Sequence, residues 1–276
     1  MSRRLVLEDV SLRFGGIKAL DSLSFAVEPG SIHAVIGPNG AGKSSCFNVI
    51  SGLYRANSGK VTFGDIDLTH LAPHKIAAAG LGRAFQNIAL APHESVMDNL
   101  MVGRFRLTRS GMISTGLALP WARREEALHR ARVVEIAHFV GLGEVLDTET
   151  GTLSYGWRKK VELARALATE PELLMLDEPV AGMPSAEKME IASLIRSIRD
   201  ALGISVVLVE HDMPMVMSIA DRVTVLDFGK QIADGTPDEI QANPAVIAAY
   251  LGSTHASDAS VAEEPDALRE LEGTPS

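Results

Sequence analysis

The octet Gly37-Pro38-Asn39-Gly40-Ala41-Gly42-Lys43-Ser44 constrains this chain more than any other feature. It satisfies G-x-x-x-x-G-K-[ST] in full. It also stands in the right context, between an apolar run at Ser31–Ile36 and a helical stretch from Lys43. The glycines let backbone N–H groups turn inward around phosphate oxygens. The helix that follows adds its positive N-terminal end. Lys43 supplies a point charge for the β- and γ-phosphates, Ser44 a hydroxyl ligand for Mg²⁺, and Ser45 the next helical position of the same site. The octet therefore predicts a nucleoside triphosphate site, without saying what the energy drives.

A strand, a Gly-rich turn and a helix belong in an α/β sheet, and the rest of the chain agrees. Leu173–Leu176 and Ser205–Val209 are short, wholly apolar runs apart from Ser205, as strands buried on both faces require. Helical patterns at Arg158–Ala168 and Ala186–Ala201 precede them, and that alternation is an α/β signature. The first 30 residues and Gly59–Asp67 read as short, half-exposed strands with turns. Arg222–Asp234 reads as a hairpin around Asp227–Gly229. Between about Ala91 and Leu153 the strand signal disappears. There Glu125–Val140 predicts a helix with Leu128, Ala131 and Val134 on one stripe. The expected fold is α/β: a P-loop NTPase (RecA-like) core with an antiparallel β subdomain and a helical insertion over about 91–165.

A second acidic centre ends the run from Leu173. In open α/β sheets ligands sit at the carboxyl ends of strands, which places Asp177 to hold Mg²⁺ directly or through water. Glu178, one residue on, can act as general base on an attacking water. Alone, two carboxylates after a strand read equally well as turn residues. Beside a complete phosphate loop they read as catalytic.

Charge and cysteine content exclude other classes. Lys and Arg number 26 against 35 Asp and Glu, a net charge of -9, which argues against a general nucleic-acid binder. One cysteine, Cys46, permits no internal disulfide or cysteine-based zinc cluster. No run approaches the roughly 18 apolar residues of a membrane helix. The N-terminal arginines meet Glu8 and Asp9 too early for a signal peptide. A cytoplasmic chain that reaches a membrane through a partner is expected. Residues 253–276 hold six acids and one base, so -5 of the net charge belongs to a segment that predicts disorder. The expected division is a 1–252 ATPase domain and a 253–276 tail.

Leu153-Ser154-Tyr155-Gly156, then the RAL helix and the strand ending in Asp-Glu-Pro, resemble the ABC-transporter ATPase family in motif and order. The resemblance runs from about Leu5 to Gly252. By it, Gln86 in RAFQN is the glutamine that senses Mg²⁺ and the attacking water. His211 in LVEHD is the switch histidine on the γ-phosphate, and Phe14 is the aromatic that stacks on adenine. The resemblance also implies a head-to-tail dimer with a second ATPase subunit, the same chain or a paralogue. Ser154 and backbone N–H groups near Gly156 would then bind the γ-phosphate of the partner's ATP. FGGIKAL, GRAFQN, DNLMVG, the long stretch after Gly103, DEPVAGM and the terminal AYLG resemble the branched-chain amino-acid importer branch in particular. That branch implies membrane permease subunits, an extracytoplasmic solute-binding protein acting indirectly, and a position on the cytoplasmic face of the cell membrane. ATPases for urea, amides or lipopolysaccharide, and non-transport ABC proteins, are the alternatives.

Two positions depart from the family. Trp157 stands where the signature usually has glutamine, and Pro184 where the loop after Asp-Glu-Pro usually has Asp or Asn. Arg104, Arg106, Arg109, Arg123 and Arg124 form a stretch without acids. It reads as a solvated face, or as a contact with a membrane partner or anionic lipid heads. His70 and His74 have no third ligand nearby and read as solvent-exposed.

Overall fold

The computed structural model describes residues 3–84, 89–110 and 119–250. Two sheets carry the fold. A six-stranded sheet has the order β10-β9-β3-β8-β7-β6. Its strands are β3 (Ile32–Ile36), β6 (Leu81–Ala84), β7 (Leu173–Asp177), β8 (Ser205–Val209), β9 (Arg222–Asp227) and β10 (Lys230–Gly235). All neighbours pair parallel except the β9–β10 hairpin. A four-stranded antiparallel sheet, β2-β1-β4-β5, is formed by β1 (Leu5–Phe14), β2 (Ile17–Val27), β4 (Ser58–Phe63) and β5 (Ile66–Asp67).

Every residue of β3, β7 and β8 is buried, and alternate side chains serve two cores. Leu174, Leu176, Val206 and Leu208 pack with the helices on one face. Leu173, Met175, Val207 and Val209 pack with the antiparallel sheet and Phe47 on the other. Each such aliphatic side chain contributes about 1.5–3 kcal/mol by leaving water.

The helices are α1 (Lys43–Ile50), α2 (Pro73–Ala78), α3 (Val96–Arg104), α4 (Pro120–Phe139), α5 (Tyr155–Leu167), α6 (Ser185–Leu202), α7 (Met213–Ile219) and α8 (Pro237–Gln241). A final helical stretch over 244–250 follows. Between Ala91 and Leu153 the described residues form helices and turns, apart from one isolated bridge, Ser95 to Glu149. No helix among the described residues is long and apolar enough to cross a membrane.

Three local expectations need correction. The first 30 residues form two long strands of 10 and 11 residues, not short ones. Register shifts at Val10 and Leu12 let one curved ladder run through what reads as breaks. Helix α4 begins at Pro120, five residues before Glu125, because proline at the first turn loses no hydrogen bond. Its buried face is Ala122, Val133, Ile136 and Ala137, whereas Leu128 and Ala131 are exposed. The stripe Leu128, Ala131 and Val134 has the helical period and the wrong phase.

Candidate functional site

Register builds the site. Asp177 pairs with Val209, and Val209 with Val35, so the carboxyl ends of β7, β8 and β3 lie in one row. The chain leaving β3 turns at once through Gly37 (φ 149°), Gly40 (φ 79°) and Gly42 (φ 102°). A Cβ at Gly37 would collide with the Leu226 carbonyl, and one at Gly42 would stand 2.6 Å from the Ala19 carbonyl. The β9–β10 turn braces the loop from behind, with the Gly229 N–H donating to Ala41 O at 2.9 Å. Lys43 Nζ donates to the loop carbonyls of Gly37 (2.7 Å) and Pro38 (2.9 Å). Burial lowers its pKa, against the raising effect of Glu178, Asp177 and Glu210.

A cavity of about 350 Å³ opens over this loop. It is lined by Asn39, Gly40, Ala41, Gly42, Lys43, Ser44 and Ser45, by Glu178, and by the side chains at its rim, Ile17 and Phe228. Its size suits a small ligand. Glu178 holds a left-handed backbone (φ 49°), a conformation that costs a non-glycine residue about 1–2 kcal/mol and that collects at functional sites.

Asp177 is buried behind it. Arg83 Nη2 donates to Asp177 Oδ2 at 2.9 Å, and Arg83 Nη1 reaches Asn48 Oδ1 (2.9 Å) and Ser51 Oγ (2.7 Å) on and after α1. Burial raises the Asp177 pKa and Glu178 adds to it, while Arg83 opposes. Asp177 Oδ1 is buried and accepts no hydrogen bond among the described residues. A buried carboxylate oxygen without a donor fits a cation. No cluster of three or more His, Cys, Asp or Glu that could hold a metal exists among the described residues.

Glu210, directly after β8, is fully buried and was not singled out from the sequence. Its Oε1 accepts the Val180 N–H (3.0 Å), and its Oε2 accepts the N–H groups of His211 (2.9 Å) and Asp212 (3.2 Å). One carboxylate thus ties the loop after Glu178 to the loop carrying His211. The signal available was an acid ending an otherwise apolar run, which must be bonded if buried. His211 is half exposed, with Nδ1 at 4.0 Å from Glu178 Oε1.

The other expected site residues are placed apart. Ser154 precedes α5, and with Gly156 and Trp157 it lines a separate cavity of about 230 Å³ against Met183 and Glu187 of the α6 region. Phe14 does not line the phosphate-loop cavity. It pairs with Ile17 across the β1–β2 hairpin and meets Tyr54 edge-on at 5.0 Å. Gln86 lies outside the described residues, as does the 253–276 tail. Pro38 is the half-buried second residue of the loop, and Cys46 is buried on α1 with its thiol pushed up to about 12. His70 precedes α2 and His74 lies on it, both exposed. Arg104 is no solvated residue: it is buried, bonding His129 Nδ1, Ala168 O and Glu170.

A parallel sheet with a glycine loop, a helix N-terminus, a lysine and a strand-end Asp-Glu pair at one edge defines a phosphate-loop ATPase. Residues 20–181 match the family model described as ABC transporter, and residues 230–256 match that of the branched-chain amino acid ATP-binding cassette transporter. The chain belongs to the ABC transporter family, as one of its ATP-binding, ATP-hydrolysing subunits. It is 38% identical over 256 residues to the high-affinity branched-chain amino acid transport ATP-binding protein BraF of Pseudomonas aeruginosa, covering 91% of this chain and 99% of that protein. To LivG of Escherichia coli it is 37% identical over 248 residues, covering 90% and 97%. The ADP conformation of an ATP-binding cassette of an ABC transporter superposes with a TM-score of 0.80 at 31% identity, covering 91% of this chain and all of that one.

Proposed function

We propose that this chain energises a membrane importer of branched-chain amino acids from the cytoplasmic face of the cell membrane. The observation that carries the solute class is the end-to-end likeness to BraF, together with the separate match of residues 230–256. Permease subunits hold the chain at the membrane, and a solute-binding protein acts on the far side.

The residues take these roles. The phosphate-loop N–H groups and Lys43 bind the β- and γ-phosphates, with Ser45 and the start of α1 completing the cradle. Ser44, Asp177 and Gln86 hold Mg²⁺, which when bound neutralises phosphate charge and fixes its orientation. Glu178 takes a proton from the attacking water, and His211 bonds the γ-phosphate and orients it. Ile17 and Phe228, which line the cavity, face the base, and Phe14, paired with Ile17 across the hairpin, backs them. Ser154 and Gly156, which line a different cavity from Lys43, act on the ATP of a second ATPase subunit. ATP then joins two half-sites, and hydrolysis separates them.

Glu178→Gln tests the chemistry. Turnover should fall by at least about a hundredfold while ATP affinity holds, the size expected for losing a general base. Retained turnover would remove Glu178 from its role. Uptake of radiolabelled leucine against urea, by the complex that co-purifies with the chain, tests the solute. Urea uptake without leucine uptake would overturn the branched-chain assignment and leave the ATPase intact.

A further inference from the structure

The arginine stretch acquires a second component in three dimensions. Around it stand four large apolar side chains in water: Val102 (64% exposed), Phe105 (81%), Trp121 (61%) and Leu128 (66%). Trp121, Arg124, Leu128 and Ala131 follow one another at helical spacing on the exposed side of α4, away from Ala122, Val133, Ile136 and Ala137. Val102 and Phe105 end α3 and begin the turn after it. That turn is tied alongside α4, because Arg104 Nε donates to His129 Nδ1 (3.2 Å) and the Arg109 N–H to Glu125 Oε1 (2.7 Å).

The charge on this face is one-sided. Arg106, Arg109, Arg123 and Arg124 are all exposed, and residues 104–124 contain no acid. The two acids that follow are engaged. Glu125 accepts the Arg109 and Ser110 N–H groups, and Glu126 pairs with Arg130 at 3.2 Å. None of the four apolar side chains lines the phosphate-loop cavity or the cavity beside Ser154. Trp121 and Leu128 with Arg124 on one face of α4, and Phe105 with Arg106 in the turn tied alongside it, have the composition of an element that lies in a lipid headgroup layer. The arginines match anionic headgroups, and their aliphatic stems lie along the apolar boundary.

We infer that the α3–α4 face, centred on Trp121, Leu128 and Phe105 and ringed by Arg106, Arg109, Arg123 and Arg124, binds an anionic lipid surface directly. The inference concerns the chain alone and does not depend on any permease.

The chain holds two tryptophans, Trp121 and Trp157. In the full-length Trp157→Phe variant, emission therefore reports Trp121. Vesicles of phosphatidylcholine and phosphatidylglycerol in equal amounts should shift that emission to shorter wavelength and sediment the protein. Phosphatidylcholine alone should bind about tenfold more weakly or worse, and added salt should weaken the anionic binding. Leu128→Glu should abolish binding. The charge reversal Arg123→Glu with Arg124→Glu, at exposed positions that leave the fold intact, should weaken it about tenfold or more. Unchanged Trp121 emission with anionic vesicles would overturn the inference and assign the face to a protein partner or to residues 111–118 of this chain. Equal binding to both vesicle types would overturn the role of the arginines. ATP hydrolysis in the same samples reads the nucleotide site separately.

Discussion

Arg83 Nη2 donates to Asp177 Oδ2 at 2.9 Å, and both side chains are nearly inaccessible to water. The pair joins β6 to β7, and through Asn48 and Ser51 it reaches α1 behind the phosphate loop. Removing one partner leaves a buried charge uncompensated, which costs about 3–5 kcal/mol. Arg83→Met should therefore destabilise by about that much in urea unfolding. Removing the second charge with Asp177→Leu should recover a large part of the loss. An Arg83→Met loss within about 0.5 kcal/mol of zero would show that the pair is not structural. Arg83→Lys keeps the charge but not the fork that reaches three acceptors, and should fall between.

Glu210 couples the loop after Glu178 to the loop carrying His211 through three accepted N–H groups. Glutamine keeps one acceptor oxygen and replaces the other with a donor, which then faces a backbone N–H. Glu210→Gln should destabilise by about 1–3 kcal/mol. It should also lower kcat for ATP hydrolysis more than it raises KM, because Glu178 and His211 lose their common anchor. Steady-state kinetics with an unchanged kcat would disprove the coupling, whatever the melting temperature does.

His33 lies buried in β3, with Nε2 at 2.8 Å from Thr224 Oγ1 and its ring stacked on Phe25. Burial lowers its pKa to about 4, with Asp234 opposing. The unfolded chain therefore binds the extra proton first. The stabilisation is complete above about pH 6.5 and is lost as pH falls toward 4, reaching a loss of about 2 kcal/mol by pH 5. His33→Gln should lower stability at pH 7.5 but flatten its decline between pH 7 and 5. Parallel slopes for the two proteins over that interval would exclude His33 as the source.

What the sequence reveals is the local part of this design. The glycine octet, β8 at Ser205–Val209 and the helix before β7 are written in short windows, and each falls within a few residues of its place. The phase of α4 is not, because Leu128 and Val133 are equally apolar and only the packed neighbour decides between them. Glu210 and Arg83 stayed hidden for a related reason. Their partners, Val180 and Asp177, lie 30 and 94 residues away, and nothing local marks a carboxylate as the hub of two loops. The separation of Ser154 and Gly156 from Lys43 is legible only through the family resemblance, since spacing alone says nothing of a second subunit.

Tyr250, the last described residue, returns the chain to its most constrained point. Its hydroxyl oxygen is buried, its ring packs against the helical core, and the Gly37 backbone is the polar group that acts on the hydroxyl. Burial raises its pKa to about 12, so the phenol stays protonated throughout the working range. Gly37 opens the phosphate loop, and the β9–β10 hairpin already limits how far it can move. The C-terminal helix therefore holds the loop from a second side. Tyr250→Phe keeps the packed ring and removes the hydroxyl that acts on the first residue of the loop. Because Gly37 opens the phosphate loop, ATP affinity should drop by about three- to tenfold, with kcat at saturating ATP nearly kept. Truncation after Gly252 retains Tyr250 and should change neither quantity. Calorimetric titration of ATP into the three proteins decides the matter: equal affinities for wild type and Tyr250→Phe would reduce Tyr250 to a packing residue.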